Sequence, residues 1–255
     1  MAGNRGIYNA AMKRAQEHAW KREWSEALRE YQRAATEFPD DLDARLGTAA
    51  AWAGLSRWPE ALQIYEQLHR EMPEDPVILE RLAEAYVRVE DRTRARDAYL
   101  RLSDLHVLHQ KIPQAIGALQ KLRELFPQDH EVLARLARLY QESGDNQSAA
   151  QALLERVRIL FQEKRLDEAM ALCEEALRLA PEHRQAREAL FRLRREMAAR
   201  RERGEEAEEP APSTPVSQYQ LEEWVREAAE RQEQGDLKGA LRLYERAVQS
   251  GLRRA

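Results

Sequence analysis

"WSEALREYQRAATEFPDD" at residues 24–41 returns as "WPEALQIYEQLHREMPED" at 58–75. Trp24 and Trp58, Ala27 and Ala61, Tyr31 and Tyr65, and Pro39 and Pro73 each stand 34 residues apart. Self-similarity at a fixed period marks an array of stacked supersecondary units. Within one copy Ala27, Tyr31 and Ala34 follow i, i+4, i+7 spacing, which is one stripe of a helix. A second amphipathic segment, such as "LDARLGTAAAWAGL" at 42–55, precedes this helix, and the few residues between them permit only an antiparallel neighbour. The small residue lets two backbones approach, the aromatic ring fills the space beside it, and the proline ends the helix.

The composition agrees. Of 255 residues 34% are charged and only 10 are Gly, and no stretch alternates β-branched and polar residues as a strand would. An all-α, extended protein with much surface per residue is expected. The net charge of −4 comes from 41 basic and 45 acidic side chains spread along the chain, so neither nucleic acid nor an anionic membrane is favoured. No apolar run reaches the length of a membrane span, and the start, "MAGNRGIYNAAMKRAQEHAW", has no apolar core of a signal peptide. With Cys173 the one cysteine, there is no intrachain disulfide framework, and a cytoplasmic setting is expected.

These residues resemble the tetratricopeptide repeat, with its W-x2-L-G-x2-Y…A-x3-F…P pattern and 34-residue period. The resemblance covers nearly the whole chain and implies an α-solenoid of antiparallel helix pairs. Pairs are read at 8–38 and 42–72, with further copies to about residue 180. One more stands at 221–249, where Trp224, Ala228, Gly235, Ala240, Tyr244 and Ala247 match. Punctuation agrees with these bounds: Pro59, Pro76 and Pro113 fall in first turns, and Gly144-Asp145 and Gly235-Asp236 fall between paired helices.

One interval breaks the period. Ala115 follows Ala95 after 20 residues, and Ala169 follows Ala149 after the same number, so residues 76–129 and 130–183 form two 54-residue units. Aligned, they pair Leu79 with Leu133, Leu82 with Leu136, Tyr86 with Tyr140, Asp91 with Asp145, and Pro127 with Pro181. Each unit reads as three helices. The middle one, near 93–110 or 147–163, is the second helix of one repeat and the first of the next, because a single apolar stripe (Ala95, Tyr99, Leu102, His106) answers both patterns. Three antiparallel helices reverse the direction of the chain through the stack. Helices of the kind that line the inner wall over residues 8–72 therefore need not line it later, and a bent or interrupted superhelix is expected.

After Pro181 a helix whose face is Ala186, Ala189, Leu190, Leu193 and Met197, with arginines elsewhere, suits a terminal cap. The expected organisation is an array with its cap at 1–203, an acidic, proline-rich linker at 204–217, and a separate helix pair at 218–255.

Chemistry is sparse. His106 and His109 are three apart on one helix, but His106 lies on the packed stripe and no third ligand is evident, so no metal is expected. Cys173 takes the place of Tyr31 and Tyr65 in its helix and reads as a buried thiol. Four of the five tryptophans stand at core or turn positions of the repeat, leaving Trp20 as a partner contact. There is no Gly-rich phosphate loop, no Gly-x-Ser-x-Gly and no His-Glu-x-x-His, so neither catalysis nor a cofactor is implied.

The resemblance implies a scaffold whose concave surface holds a peptide, helix or domain of another protein; the oligomeric state is open. By matching positions, the contacts are Asn9, Met12, Lys13, Gln16 and Trp20, then Asp43, Leu46 and Ala50, then Glu80, Arg81 and Glu84. Some members clamp the acidic C-terminus of chaperones with Lys, Asn and Arg. Here only Arg81 suits that role, with Met12, Gln16 and Gly47 at the other places, so such tails are not expected ligands. The rival reading is a regulatory solenoid that binds RNA or another nucleic acid through the arginine-rich helix 184–203, although the glutamates at 205, 206, 208 and 209 oppose nucleic acid nearby.

Overall fold

The computed structural model describes residues 3–202 together with 225–229, 231–232 and 243–244. Compact units divide between Phe191 and Arg192. The linker expected at 204–217, and Trp224, Gly235, Ala240 and Ala247 of the C-terminal pair, lie outside the described residues. Ala228, within them, is fully buried.

Residues 3–202 are helix and short turn, without a strand. The elements are α1 (Arg5–Trp20), α2 (Trp24–Glu37), α3 (Leu42–Gly54), α4 (Trp58–Glu71), α5 (Pro76–Arg88), α6 (Arg92–Leu108), α7 (Ile112–Leu125), α8 (His130–Glu142), α9 (Asn146–Gln162), α10 (Leu166–Leu179) and α11 (Arg184–Glu202). The marker alanines Ala27, Ala61, Ala95, Ala115, Ala149 and Ala169 are each no more than 1% exposed.

Two kinds of turn alternate, and their order shows how the repeat is fused. The first kind places one residue in the left-handed region: Arg22, Ser56, Glu90, Gln110, Gly144 and Lys164, with φ from 58° to 81°. In each, the amide of the following residue donates to a carbonyl five residues back, as Glu23 to His18 (2.9 Å) and Asp145 to Tyr140 (2.8 Å), which closes the helix with a Schellman motif. The second kind carries the prolines. Pro39, Pro73, Pro127 and Pro181 stand just past the ends of their helices, and the side chains of Asp41, Asp75 and Asp129 cap the next helix by accepting from its first amides.

A regular array would alternate the two kinds. Here α6 has a left-handed turn on both sides, at Glu90 and Gln110, and so does α9, at Gly144 and Lys164. Both helices are 17 residues long, against 13 or 14 for α2–α5, α7, α8 and α10. The extra turn carries the combined stripe: α6 buries Ala95, Ala98, Tyr99, Leu100, Leu102, Ser103 and Leu105. Each serves as second helix to its predecessor and first helix to its successor.

Within residues 1–191 the helices stand in two rows. Lys121 of α7 reaches Glu80 (2.8 Å) and Glu84 (3.2 Å) of α5, and Arg123 of α7 reaches Glu155 of α9 (3.6 Å), so α5, α7 and α9 are neighbours in one row. The Tyr8 hydroxyl of α1 donates to Asp41, the cap of α3, at 2.6 Å. In the other row Arg94 of α6 meets Glu66 of α4 (3.0 Å), and Arg96 of α6 meets Asp129 (2.6 Å) and Glu131 (2.7 Å) at the start of α8. Thus α7, a second helix by its sequence, stands beside α5, and α8, a first helix, stands beside α6. The exchange expected from the 20-residue interval is present.

Candidate functional site

The surface of interest is the solvent side of the row containing α1, α3, α5 and α7. Each helix turns an apolar stripe inward, which fixes what is left outside. On α1 the stripe is Tyr8, Ala11, Met12 and Ala15. Asn9, Lys13, Gln16 and Trp20 remain exposed, Trp20 to 90%. Met12, expected to touch a partner, is instead a core residue at 8% exposure. It lies four residues after Tyr8 and one after Ala11, on the stripe itself. On α3, Asp43 and Ala50 are exposed and Leu46 is half-buried. Gly47 is not available: a Cβ there would lie 2.2 Å from the Tyr31 ring, so this glycine exists to seat that ring.

On α5 the expected contacts are present but engaged. Arg81 is exposed and pairs with Glu84 (3.2 Å), while Glu80 and Glu84 both receive Lys121. Those two carboxylates raise the Lys121 pKa, chiefly through the Glu80 hydrogen bond, and keep it charged. Burial raises the Tyr99 hydroxyl behind this cluster, holding it neutral.

The contacts named from the sequence end the wall at α5. The structure carries it to α7, adding Gln114, Gly117 and Lys121. The fused helix was the signal that could have found them. Gly117 is distinctive, because a Cβ there would meet nothing within 4 Å. A helix-interior glycine costs about 1 kcal/mol relative to alanine, and no packing among the described residues requires this one.

The remaining candidates fall as follows. Cys173 is fully buried and donates to the Ala186 carbonyl at 3.1 Å. His109 is the exposed C-cap of α6, and His106 is half-buried with its Nδ1 enclosed and unpaired. Burial, then Lys111, lowers the His106 pKa; burial, then Arg101, does the same to His69. In α11, Arg184 pairs with Glu188 (2.8 Å) and Arg187 with Glu182 (2.6 Å), so part of the arginine charge is neutralised locally.

No curated protein matches the chain. Among solved structures, a thermophilic TPR protein of Thermus thermophilus is 21% identical, over 73% of this chain and 98% of that one, with a TM-score of 0.33. PilF of Pseudomonas aeruginosa is 15% identical over 72% and 96%, TM-score 0.36. Yeast Tom70 is 17% identical over 76% and 40%, TM-score 0.42. The family model described as tetratricopeptide repeat matches residues 12–76, 100–158 and 142–184, and the last two matches overlap on α9, the helix that serves two repeats. With more than half of its length matched, the chain belongs to the tetratricopeptide repeat family.

Proposed function

We propose that this protein is a non-catalytic, cytoplasmic scaffold that holds a segment of a partner protein on the wall formed by α1, α3, α5 and α7. The observation that carries the reading is Trp20, 90% exposed at the end of α1, where no contact among the described residues accounts for a large aromatic side chain. Exposed aromatic residues at an otherwise polar surface are the usual anchors of protein interfaces. Asn9, Lys13 and Gln16 lie along the same helix, and the open space over Gly117 suits close approach of a partner backbone. Family membership supports interaction in general and leaves the partner to experiment.

The test is affinity capture from the native cell using the wild-type chain, Trp20→Ala, and Lys13→Glu combined with Gln16→Ala. A partner retained by the wild type and released by the wall variants supports the reading. Capture that all variants leave unchanged removes this wall from consideration. RNA binding has its own discriminant: affinity that falls steeply with salt.

A further inference from the structure

A cavity of about 460 Å³ opens where the two kinds of turn meet at one end of the first fused unit. Val87 and Glu90 from the end of α5 and its turn, Arg92 and Ala95 from the start of α6, and Leu125 and Phe126 from the end of α7 line it. It lies one turn beyond the Lys121–Glu84 pair, between the same two helices of the wall.

Two features separate this cavity from a packing defect. Arg92 stands 5.6 Å from the Phe126 ring centre, exposed and without a carboxylate partner among the described residues. Its neighbours Arg94 and Arg96 are both paired, with Asp91 (2.6 Å) and Asp129 (2.6 Å). The second feature is internal to the chain. In the other 54-residue unit the same positions are Gln141 for Val87, Asn146 for Arg92 and Ala180 for Phe126, while Ala149 stands for the buried Ala95 and Leu179 for the half-buried Leu125. That unit folds into the same three helices. The fold therefore requires the alanine and the leucine but not the valine, the arginine or the phenylalanine. Elsewhere in the array the ring of Phe38, also ahead of a proline, is covered edge-on by Tyr8 at 5.2 Å. Phe126 instead faces the cavity.

We infer that this cavity binds a partner protein's peptide through one apolar side chain, inserted between Val87, Ala95, Leu125 and Phe126, with an adjacent acidic side chain paired to Arg92. The inference rests on the scaffold reading and adds the partner's chemistry. A guanidinium already seated on an aromatic ring presents its remaining N–H groups to a carboxylate at little entropic cost, and the apolar lining supplies the anchor.

The experiment is selection of random dodecapeptides displayed on phage against the intact chain, followed by fluorescence anisotropy with the enriched peptides. The inference expects sequences with an apolar residue beside Asp or Glu, whose affinity falls about tenfold or more on Arg92→Ala, on Phe126→Ala, and on neutralising the acidic residue in the peptide. Ala180 shows that alanine is compatible with this position, and circular dichroism of Phe126→Ala verifies its fold. Selection yielding no peptide whose binding depends on Arg92 overturns the inference. Peptides that depend on Trp20 and ignore Arg92 and Phe126 would refute the cavity while leaving the scaffold standing. Peptides that depend on Arg92, with no cellular partner lost in the wall variants, would do the reverse.

Discussion

Replacing Glu90 by glycine should stabilise this protein, and replacing Gly144 by alanine should destabilise it. The two residues are 54 apart, occupy the same turn in the two fused units, and share the left-handed conformation, with φ of 61° and 81°. An L-residue there carries strain of roughly 1–2 kcal/mol, and glycine costs roughly 0.5–1 kcal/mol in chain entropy, so each exchange is worth about 0.5–1 kcal/mol, with opposite signs. Side-chain effects do not obscure the comparison. A Cβ on Gly144 meets nothing within 4 Å, and Glu90 is exposed and makes no ion pair among the described residues. For an array of this size that corresponds to about 1–4 °C in Tm. Thermal unfolding of wild type, Glu90→Gly and Gly144→Ala, followed by far-ultraviolet circular dichroism, reads both signs. A lowered Tm for Glu90→Gly, or a raised one for Gly144→Ala, would refute the equivalence of the two turns and with it the internal duplication.

Other outcomes follow from the same packing. Gly47→Ala should destabilise by about 1–3 kcal/mol in urea unfolding, because the Tyr31 ring 2.2 Å from the new Cβ must move; Gly117→Ala should stabilise by about 1 kcal/mol, because its Cβ enters open space. The protein should lose stability on acidification in two stages. His69 and His106 have lowered values in the fold, so the unfolded chain takes up their protons first, and stability falls as pH drops below the ordinary histidine value of 6.5. A His69→Gln, His106→Gln variant should lose this stage in urea midpoints measured from about pH 7.5 to about pH 5.5. At lower pH, burial pushes the Asp129 carboxyl up, but Arg96 and the capped amides of α8 more than offset it; Arg96 and then Arg135 lower Glu131. Stability that these carboxylates supply above their ordinary values of 3.8 and 4.5 is lost as pH falls through the lowered ones. Arg96→Ala should lessen this acid stage.

How much of this was legible in the sequence depended on whether a residue's role is local. The helices, their caps and their turns were, because Ala27, Tyr31, Pro39 and Asp41 act on neighbours within a turn or two of the chain. Even the shared helices were, since the 20-residue interval between Ala95 and Ala115 left no room for a separate partner. The wall was less so. Met12 was misplaced because a matching position in a repeat does not say which of two adjacent residues the stripe takes, and Ala11 together with Met12 takes both. Lys121 and Gly117 join the wall because the row exchange brings α7 beside α5; the 20-residue interval signals that exchange, but not which side chains of α7 meet residues about forty positions away on α5. The cavity depends on the same exchange, and only comparison of Arg92 and Phe126 with Asn146 and Ala180 hinted at it.

That exchange is tested most directly by zero-length coupling of lysine to carboxylate in the folded chain, with the joined peptides identified by mass spectrometry. Lys121 should couple to Glu80 and Glu84, which lie 2.8 and 3.2 Å away across the α5–α7 boundary, and the coupling should disappear in Glu80→Gln, Glu84→Gln. Lys121 joined instead to carboxylates of another helix, with neither of these two modified, would contradict the account.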